Sequence, residues 1–316
     1  MHSGLSANGI TTLMTISSSV SSRSSRVIIR APYELTRTIT VKPREAGESA
    51  LHFFRNRFPY LSEEKWLQRL ESGWIRSNGL PVSAGTCLSA HQVLTHYSPA
   101  VSEPSVSGNI TVVKETKNWL IVCKPAPLPM HQGGRYYKNT LAYLLKEMGY
   151  SDLNPVHRLD AVTSGLVLFA KNRKWAIQIR KEFDENRVEK WYHAIVEGEM
   201  TGNLAVDQPI RRRRGFVFEC GNGLENAKPA LTRFIPEKVL PGGKTLVRCI
   251  PETGRTHQIR LHLREAGFPV ADDPIYGPKG DDSGQKLQNS AISLRSSGIV
   301  IKALRIKGVL PVTKGF

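Results

Sequence analysis

The chain has 316 residues, 40% of them hydrophobic, which is enough for two domains or for one large and one small domain. Its formal net charge of +17 and isoelectric point of about 9.9 favour a polyanionic partner, most simply nucleic acid. The four cysteines are far apart and form no Cys-x-x-Cys pair, which is typical of a reduced intracellular protein. No apolar run approaches the roughly 20 residues of a membrane-spanning helix.

Residues 1–45 are predicted to be a disordered basic extension. The first 33 residues are rich in serine, include Arg23, Arg26 and Arg30, and contain no acidic residue before Glu34. An organelle transit peptide has the same composition, and so does a disordered tail, and an over-extended start with Met14 as the true initiator is a further alternative. We expect the protein in the cytoplasm, and import into a mitochondrion or plastid stays open as the alternative.

Residues 46–98 are predicted to form a small α/β domain. Two amphipathic helices, the second capped by Ser62 and ended by Gly73, precede a hairpin that turns at Asn78-Gly79. The unit also carries distributed basic residues, namely Arg55, Arg57, Lys65, Arg69 and Arg76. This order of elements resembles the small RNA-binding domain named after ribosomal protein S-four, which would make Arg69 and Arg76 RNA contacts. An ordinary domain with solvated charges is the alternative.

A polar linker rich in proline, serine and glycine is predicted at residues 99–109, and a second domain at 110–316. Two apolar runs open this domain, and Lys124 follows them in a segment whose three prolines exclude regular structure. There the lysine either meets a phosphate or is solvated. Further along, Arg211 to Arg214 form a run that is either a solvated loop or, slightly favoured, a contact to an RNA backbone.

The stretch from Pro155 to Lys171 is the most informative. His157, Arg158 and Asp160 come first, a small-residue turn follows, and an unbroken apolar run then predicts a strand buried on both faces. Asp160 is therefore expected on a loop held against a stiff core strand, which is a common way to aim a reactive side chain. A buried Arg–Asp ion pair and a turn-capping aspartate are the alternatives.

Residues 244–277 form a second informative block. A strand and a turn are followed by a helix that is predicted to begin at Arg255, which places this arginine near a helix N-terminus, a favourable position for anions. Arg260 lies within the helix. His257 and His262 are five residues apart, not the four of a helical zinc pair, so we interpret them as packing or hydrogen-bonding groups.

The candidate reactive groups are therefore one carboxylate, Asp160, one phenol, Tyr192, and the arginines Arg158, Arg255 and Arg260. The sequence contains no glycine-rich phosphate loop, no Gly-x-Ser-x-Gly motif and no clustered Cys/His set. An aspartate can act as a nucleophile if an arginine keeps it ionised, and a tyrosine can stack on a base lifted out of RNA. Such a set suits cofactor-free chemistry on a flipped nucleobase.

Two long motifs then resemble the RluA family of pseudouridine synthases. One is His157-Arg158-Leu159-Asp160 with the following Thr-Ser-Gly, and the other runs from Gly254 to His262 and continues in Asp273-Pro-Ile-Tyr-Gly. Lys124-Pro-Ala and Lys190-x-Tyr192 are similar to shorter family motifs. Pro127 departs from the glycine usual there, and the segment after Gly277 matches only faintly, so an atypical end of the domain is expected.

The resemblance implies an α+β fold with a mixed, mainly antiparallel sheet and flanking helices. It further implies isomerisation of uridine to pseudouridine in ribosomal or transfer RNA, without a cofactor or a metal. The oligomeric state is not visible in the sequence, and a monomer is the default expectation. Asp160 would be the nucleophile, Tyr192 would stack on the uracil and take its C5 proton, and Arg255 would pair with Asp160. Arg158, Lys124 and Arg260 would contact RNA. A catalytically inactive RNA-binding or ribosome-assembly factor is the alternative, and a DNA-binding regulator is the weakest reading.

Overall fold

The computed structural model describes residues 26–280 and 290–312. It contains two compact units, and the described parts of the first are residues 29–105 and 132–137. The second comprises 26–28, 106–131, 138–280 and 290–312. Within these described residues, no helix is long and apolar enough to cross a membrane.

The first unit is a four-stranded antiparallel sheet with two helices. Its strands have the order β2-β5-β3-β4. The elements are β2 (Tyr33–Thr40), α1 (Ala50–Arg57), α2 (Glu63–Glu71), β3 (Ile75–Ser77), β4 (Leu80–Pro81) and β5 (Val93–Val101). The predicted N-cap is confirmed, since the Ser62 side chain accepts from the N–H of Lys65, and Asn78 and Gly79 adopt the positive φ angles of a tight hairpin turn. Phe53, Phe54 and Trp66 are fully buried and form the centre of the core.

Both predicted limits of this unit differ from the structure. Residues 1–25 lie outside the described part of the chain, but Tyr33–Thr40 are a strand and not a disordered extension, because Leu35 and Ile39 alternate with polar residues and are buried. The predicted linker at 99–109 is also partly regular. Strand β5 continues to Val101, and Val106–Ser107 pair with Val27–Ile28.

The second unit is built on a ten-stranded mixed sheet. Its main path has the order β12-β15-β16-β11-β17-β10-β8-β7, with β9 on β10 and β18 on β17. Among the described residues, every strand pair of this sheet is antiparallel except β10 with β17. The strands of the unit are β1 (Val27–Ile28), β6 (Val106–Ser107), β7 (Thr111–Glu115), β8 (Trp119–Lys124), β9 (Asn154–Pro155), β10 (Ser164–Ala170), β11 (Glu189–Glu197), β12 (Leu204–Asp207), β13 (Ile210–Arg214), β14 (Val217–Cys220), β15 (Leu231–Leu240), β16 (Lys244–Pro251), β17 (Leu294–Ile301) and β18 (Ile306–Val309). The predicted α+β class with a mainly antiparallel sheet is confirmed.

The described residues of this unit contain the α-helices α3 (Leu141–Glu147), α4 (Arg173–Asp184) and α5 (Gln258–Glu265), of which α4 and α5 pack on the sheet. Helix α4 contributes Ile179 to a cluster with Leu166 and Leu168 of β10. Helix α5 contributes Ile259 and Leu263 to a second cluster, which contains Ala194, Val247 and Phe234 of β11, β16 and β15. The predicted double burial of β10 is confirmed, since every residue from Gly165 to Ala170 is buried.

The segment after Gly277 supplies a central strand. The polar residues 281–289 lie outside the described part, but β17 is inserted between β10 and β11. Gly165 makes the parallel contact possible, because a Cβ atom there would lie 2.2 Å from the carbonyl oxygen of Ser296, and its φ of +110° favours glycine. The segment therefore supplies a central strand of the sheet although its sequence matches the family motifs only faintly.

Candidate active site

The loop before β10 carries Asp160 into a cavity of about 130 Å³. Leu159 and Val162 on either side are buried, and the N–H of Thr163 donates to the carbonyl of Asp160 at 3.1 Å, so the loop is anchored at both ends. The Asp160 side chain is 18% exposed. Polar and aromatic groups share the cavity wall with it, namely Arg158, Tyr192, Arg255, His257 and Arg260. The structure thus brings five candidate residues of the sequence together, and His257 joins them.

Arg260 links two carboxylates. Its Nε and Nη2 donate to Asp273 at 2.6 and 2.9 Å, and its Nη1 donates to Oδ2 of Asp160 at 3.3 Å. The N–H groups of Ile275 and Tyr276 also donate to Asp273, so this buried carboxylate is held from two sides. Arg260 was expected to contact RNA, but only 1% of its side chain is exposed. Its cation instead neutralises Asp160 and Asp273.

The pKa of the Asp160 carboxyl group lies below its usual value. Burial acts to raise this pKa, but the neighbouring His257 and Arg260 outweigh it, with a smaller contribution from Arg158. Asp160 is therefore ionised at neutral pH although most of its side chain is buried. An ionised, partly desolvated carboxylate is the state that a nucleophile needs.

His257 stands beside the same carboxylate at the start of α5. Its Nε2 lies 3.8 Å from Oδ2 of Asp160, and its Nδ1 lies 2.8 Å from the hydroxyl of Tyr276. Burial lowers the pKa of His257 to about 4, so the ring is neutral at pH 7. The predicted hydrogen-bonding role of both histidines is confirmed, since His262 contacts the Thr232 hydroxyl at 2.9 Å and the Gln208 carbonyl at 3.0 Å. Among the described residues no cluster could hold a metal ion.

Tyr192 lies on β11 and faces the cavity that contains Asp160. The pairing of β11 with β17 has a register shift between Trp191 and Tyr192, and such an irregularity changes the direction of the side chains next to it. Burial, reinforced by the Asp160 charge, raises the pKa of Tyr192 to about 12. The phenol therefore keeps its proton at neutral pH.

Arg255 does not make the ion pair with Asp160 that the sequence predicts. Helix α5 begins at Gln258, three residues later than expected, because the Gln258 side chain accepts from the N–H of Arg255 and the hydroxyl of Thr253 and closes a turn there. Arg255 is exposed on this turn, and its Nε donates to the carbonyl of Pro229 at 3.0 Å. The partner of Asp160 is Arg260, one helical turn further on.

Lys124 cannot contact RNA, because it is fully buried. Its Nζ donates to the carbonyls of Pro125, Leu128 and Ala161 at 3.1, 2.8 and 3.2 Å, and burial lowers its pKa to about 7. This lysine therefore ties two loops together, one of which carries Asp160. Two of these carbonyls, those of Pro125 and Leu128, belong to the proline segment, where the missing backbone N–H groups limit regular pairing, and the lysine donates to them instead.

The other basic candidates are distributed over both units. Arg158 is exposed at the cavity, and Arg76 is exposed in the first unit with its Nε on the carbonyl of Gly73. Arg69 is only partly exposed, because its Nη1 contacts His96 Nε2 at 2.7 Å and donates to Ser98 Oγ at 3.0 Å. His157, which was noted beside Arg158, accepts from the N–H of Leu168 and supports β10.

Sequence reasoning missed the roles of Asp273 and Tyr276. Both lie in the Asp273-Pro-Ile-Tyr-Gly motif, which was given no role in the site, but Asp273 binds Arg260 and the Tyr276 hydroxyl contacts His257. The signal that was available is the position of Asp273 in a motif that continues the one containing Arg260.

Comparisons with known proteins agree with this geometry. A family model described as RNA pseudouridylate synthase matches residues 118–265. The chain is 34% identical over 254 residues to RNA pseudouridine synthase 7 of Oryza sativa subsp. japonica, covering 78% of this chain and 64% of that protein. It is 30% identical over 290 residues to tRNA pseudouridine(31) synthase of Saccharomyces cerevisiae, covering 78% and 70%. The chain thus spans less than two thirds of the length of the rice relative.

A solved structure also matches. Human RNA Pseudouridylate Synthase Domain Containing 1 superimposes with a TM-score of 0.55 at 27% identity, over 65% of this chain and 84% of that one. The chain belongs to the RNA pseudouridylate synthase family, as the motifs around Asp160 and Arg260 predicted.

Proposed function

We propose that the chain is an RNA pseudouridine synthase that isomerises uridine in structured RNA, either ribosomal or transfer RNA, with Asp160 as its nucleophile. The observation that carries this proposal is the ionised Asp160 carboxylate, held by Arg260 in a cavity that Tyr192 also lines. Family membership supplies the reaction class.

The reaction exchanges one bond of the ribose for another. On one route Asp160 donates an electron pair to C1′, and uracil leaves with the pair of the C1′–N1 bond. On the other route Asp160 donates to C6, the π pair of the C5–C6 bond moves to C5 and O4, and the C1′–N1 bond then breaks with its pair on N1. On both routes the uracil turns, an electron pair at C5 forms the bond to C1′, and the carboxylate leaves with the pair of its own bond to carbon. C5 then loses a proton and N1 gains one, so no oxidant or reductant is needed.

Tyr192 contacts the uracil ring in this proposal. A phenol whose pKa is about 12 gives very little phenolate at neutral pH, which argues against the expected role as the base for the C5 proton. Arg158, exposed beside the nucleophile, is placed to contact the flipped-out nucleotide or its phosphate. Arg255 is exposed on the same rim and suits a phosphate contact.

The test compares Asp160→Asn with the exposed control Asp152→Asn. Substrate RNA is transcribed with tritium at C5 of uridine, because the isomerisation releases that hydrogen. We expect tritium release from the parent protein and from the control, and at least 10³-fold less from Asp160→Asn with RNA binding retained. Equal release from Asp160→Asn would remove Asp160 as the nucleophile.

A catalytically inactive RNA-binding factor is the second candidate, and the high net charge is compatible with it. It predicts no tritium release from any RNA and full function of the Asp160→Asn protein in cells. Mapping pseudouridine across total RNA from cells with and without the protein decides between the two candidates. The same map identifies the class of RNA and the uridine.

We also propose that the first unit binds RNA in the manner of an S-four-type domain. Its helix–helix–hairpin order and the exposed Lys65 and Arg76 support this. Substituting both residues by glutamine in the full chain is expected to weaken RNA binding by about tenfold, since each phosphate contact contributes to affinity. Unchanged affinity would contradict the proposal.

The compartment is proposed to be the cytoplasm, in keeping with four unpaired cysteines. A fluorescent protein fused after residue 316 tests the compartment, and overlap with a mitochondrial or plastid marker would assign a targeting role to residues 1–33.

We also propose that the protein is a monomer, and light scattering of the pure protein tests this.

A further inference from the structure

We infer that Asp160 attacks through Oδ1, and that His257, fixed in one tautomer by Tyr276, is a positioning residue that holds Oδ2. The part of this inference that concerns the reaction rests on the proposed function. The tautomer of His257 is argued from hydrogen bonds alone and does not rest on it. It concerns which of two equivalent oxygen atoms reacts and which side chains make them different.

The two groups closest to the carboxylate approach the same oxygen. Nη1 of Arg260 lies 3.3 Å from Oδ2, and Nε2 of His257 lies 3.8 Å from it. Within the described residues no hydrogen bond reaches Oδ1. An oxygen whose lone pairs accept hydrogen bonds is the weaker nucleophile, so Oδ1 is the oxygen left to react.

Tyr276 determines the proton position on the His257 ring. Its hydroxyl oxygen accepts from the N–H of Phe218 at 2.9 Å and lies 2.8 Å from Nδ1 of His257. Tyr276 is 1% exposed, and a buried hydroxyl proton without an acceptor is costly. Among the described residues Nδ1 is the acceptor within reach, so Tyr276 donates to Nδ1 and the ring proton lies on Nε2.

The same tautomer suits Asp160. A proton on Nε2 faces the carboxylate oxygen, whereas the opposite tautomer would place a lone pair against it. The present 3.8 Å is longer than a hydrogen bond, and such contacts often shorten when the substrate complex forms. Because the ring is neutral at pH 7, it orients Oδ2 without adding a full positive charge.

This arrangement also suits the covalent intermediate. When Oδ1 donates its electron pair to carbon, the carboxylate becomes an ester and Oδ2 becomes its carbonyl oxygen. The bond that breaks is C1′–N1 on the ribose route, or the double bond between C5 and C6 on the ring route. A carbonyl oxygen accepts hydrogen bonds well, so Arg260 and His257 keep their partner throughout.

The first test reads the tautomer by nuclear magnetic resonance on protein labelled with ¹⁵N-histidine, with no RNA present. The His257 signals are assigned by their absence from the His257→Asn protein. We expect a proton on Nε2 and none on Nδ1, and a mixture of both tautomers in Tyr276→Phe. A proton on Nδ1 in the parent protein, or an unchanged tautomer in Tyr276→Phe, would overturn the inference.

The second test compares His257→Gln with His257→Asn by tritium release. Glutamine places its amide near the former Nε2 and keeps a donor for Oδ2, whereas asparagine reaches only the former Nδ1. Asparagine tolerates the φ of +58° at this position, so its effect is not a folding defect, and thermal unfolding checks this. We expect kcat to fall about 10²-fold in His257→Asn and about threefold in His257→Gln, with KM unchanged in both.

Equal kcat in the two variants, or a rise in KM alone, would contradict the positioning role. If the parent protein releases no tritium from any RNA, the proposed function fails, and the tautomer measurement still decides the role of Tyr276. The two failures are therefore distinguishable.

Discussion

At the scale of single residues, the proposed chemistry depends on three charged side chains in contact: Asp273 binds Arg260, and Arg260 binds Asp160. Arg260 is bonded to Asp273 through two nitrogens and reaches Asp160 with the third. Burial acts to raise the pKa of Asp273, but the hydrogen bonds and charge of Arg260 hold it below its usual value. The three groups therefore stay ionised together, and the position of Asp160, the proposed nucleophile, depends on how firmly Asp273 holds Arg260.

The first prediction tests this dependence with Asp273→Asn. Loss of the buried carboxylate leaves Arg260 with weaker partners, so we expect about 3 kcal/mol less stability and about a tenfold lower kcat. The neighbouring Asp272→Asn is the control, since Asp272 is exposed and its φ of +62° suits asparagine. Urea unfolding and tritium release measure the two effects. Equal changes in both variants would mean that Asp273 does not support the site.

The second prediction concerns pH. Asp160 has a lowered pKa and is ionised throughout the range above about pH 6, whereas Tyr192 keeps its proton up to a pKa of about 12. We therefore expect no increase of kcat from about pH 7 to about pH 9. Deprotonation of Lys124, whose pKa is about 7, acts in the opposite direction because it weakens the bonds that hold the Asp160 loop. A tenfold rise per pH unit would instead identify Tyr192 phenolate as a base.

The residues of the site could be predicted from the sequence, but not all of their partners. Asp160 and Tyr192 were found from their motifs, and the cavity contains both. Which arginine faces Asp160 depends on where α5 begins, and the Gln258 side chain moves that point by one turn. Lys124 was read as a phosphate ligand because burial, which decides its role, is invisible in a local sequence.

At the scale of elements, the site depends on the parallel contact between β10 and β17. Strand β10 directly follows the loop that carries Asp160. Strand β17 can lie beside β10 because Gly165 has no side chain. The apolar run of β10 was predicted, since a buried strand has a local signature. The place of β17 was not, because it depends on pairing across more than 100 residues.

The third prediction is that Gly165→Ala destabilises the protein by more than about 3 kcal/mol. The new Cβ atom would meet the Ser296 carbonyl at 2.2 Å, and the φ of +110° is unfavourable for alanine. Gly202→Ala is the control, because a Cβ there has nothing within 4 Å. Thermal and urea unfolding measure both variants. Similar stabilities would show that β17 can shift without cost.

At the scale of the whole molecule, the net charge of +17 was the earliest indication of a polyanionic partner, which we propose is RNA. The arginine run, for which the sequence left a solvated loop or an RNA contact open, lies on strand β13 of a hairpin with β14. Arg212 lies over the Phe218 ring, and Phe216 near the tip is 75% exposed. Arg211 pairs with Glu219 at 2.8 Å, so the hairpin exposes only part of its charge to a ligand.

The last prediction locates part of the RNA contact on this hairpin. Arg212 and Arg214 are exposed there, and replacing both with glutamine removes two phosphate contacts if the hairpin lies on RNA. The slope of log affinity against log salt concentration is then expected to become shallower by about 1.5, because each contact releases somewhat less than one counterion. Replacing Arg173 and Lys174 on α4 changes the net charge equally and serves as the control. Filter binding over a salt series measures both slopes, and an equal change in the two proteins would assign the effect to overall charge rather than to the hairpin.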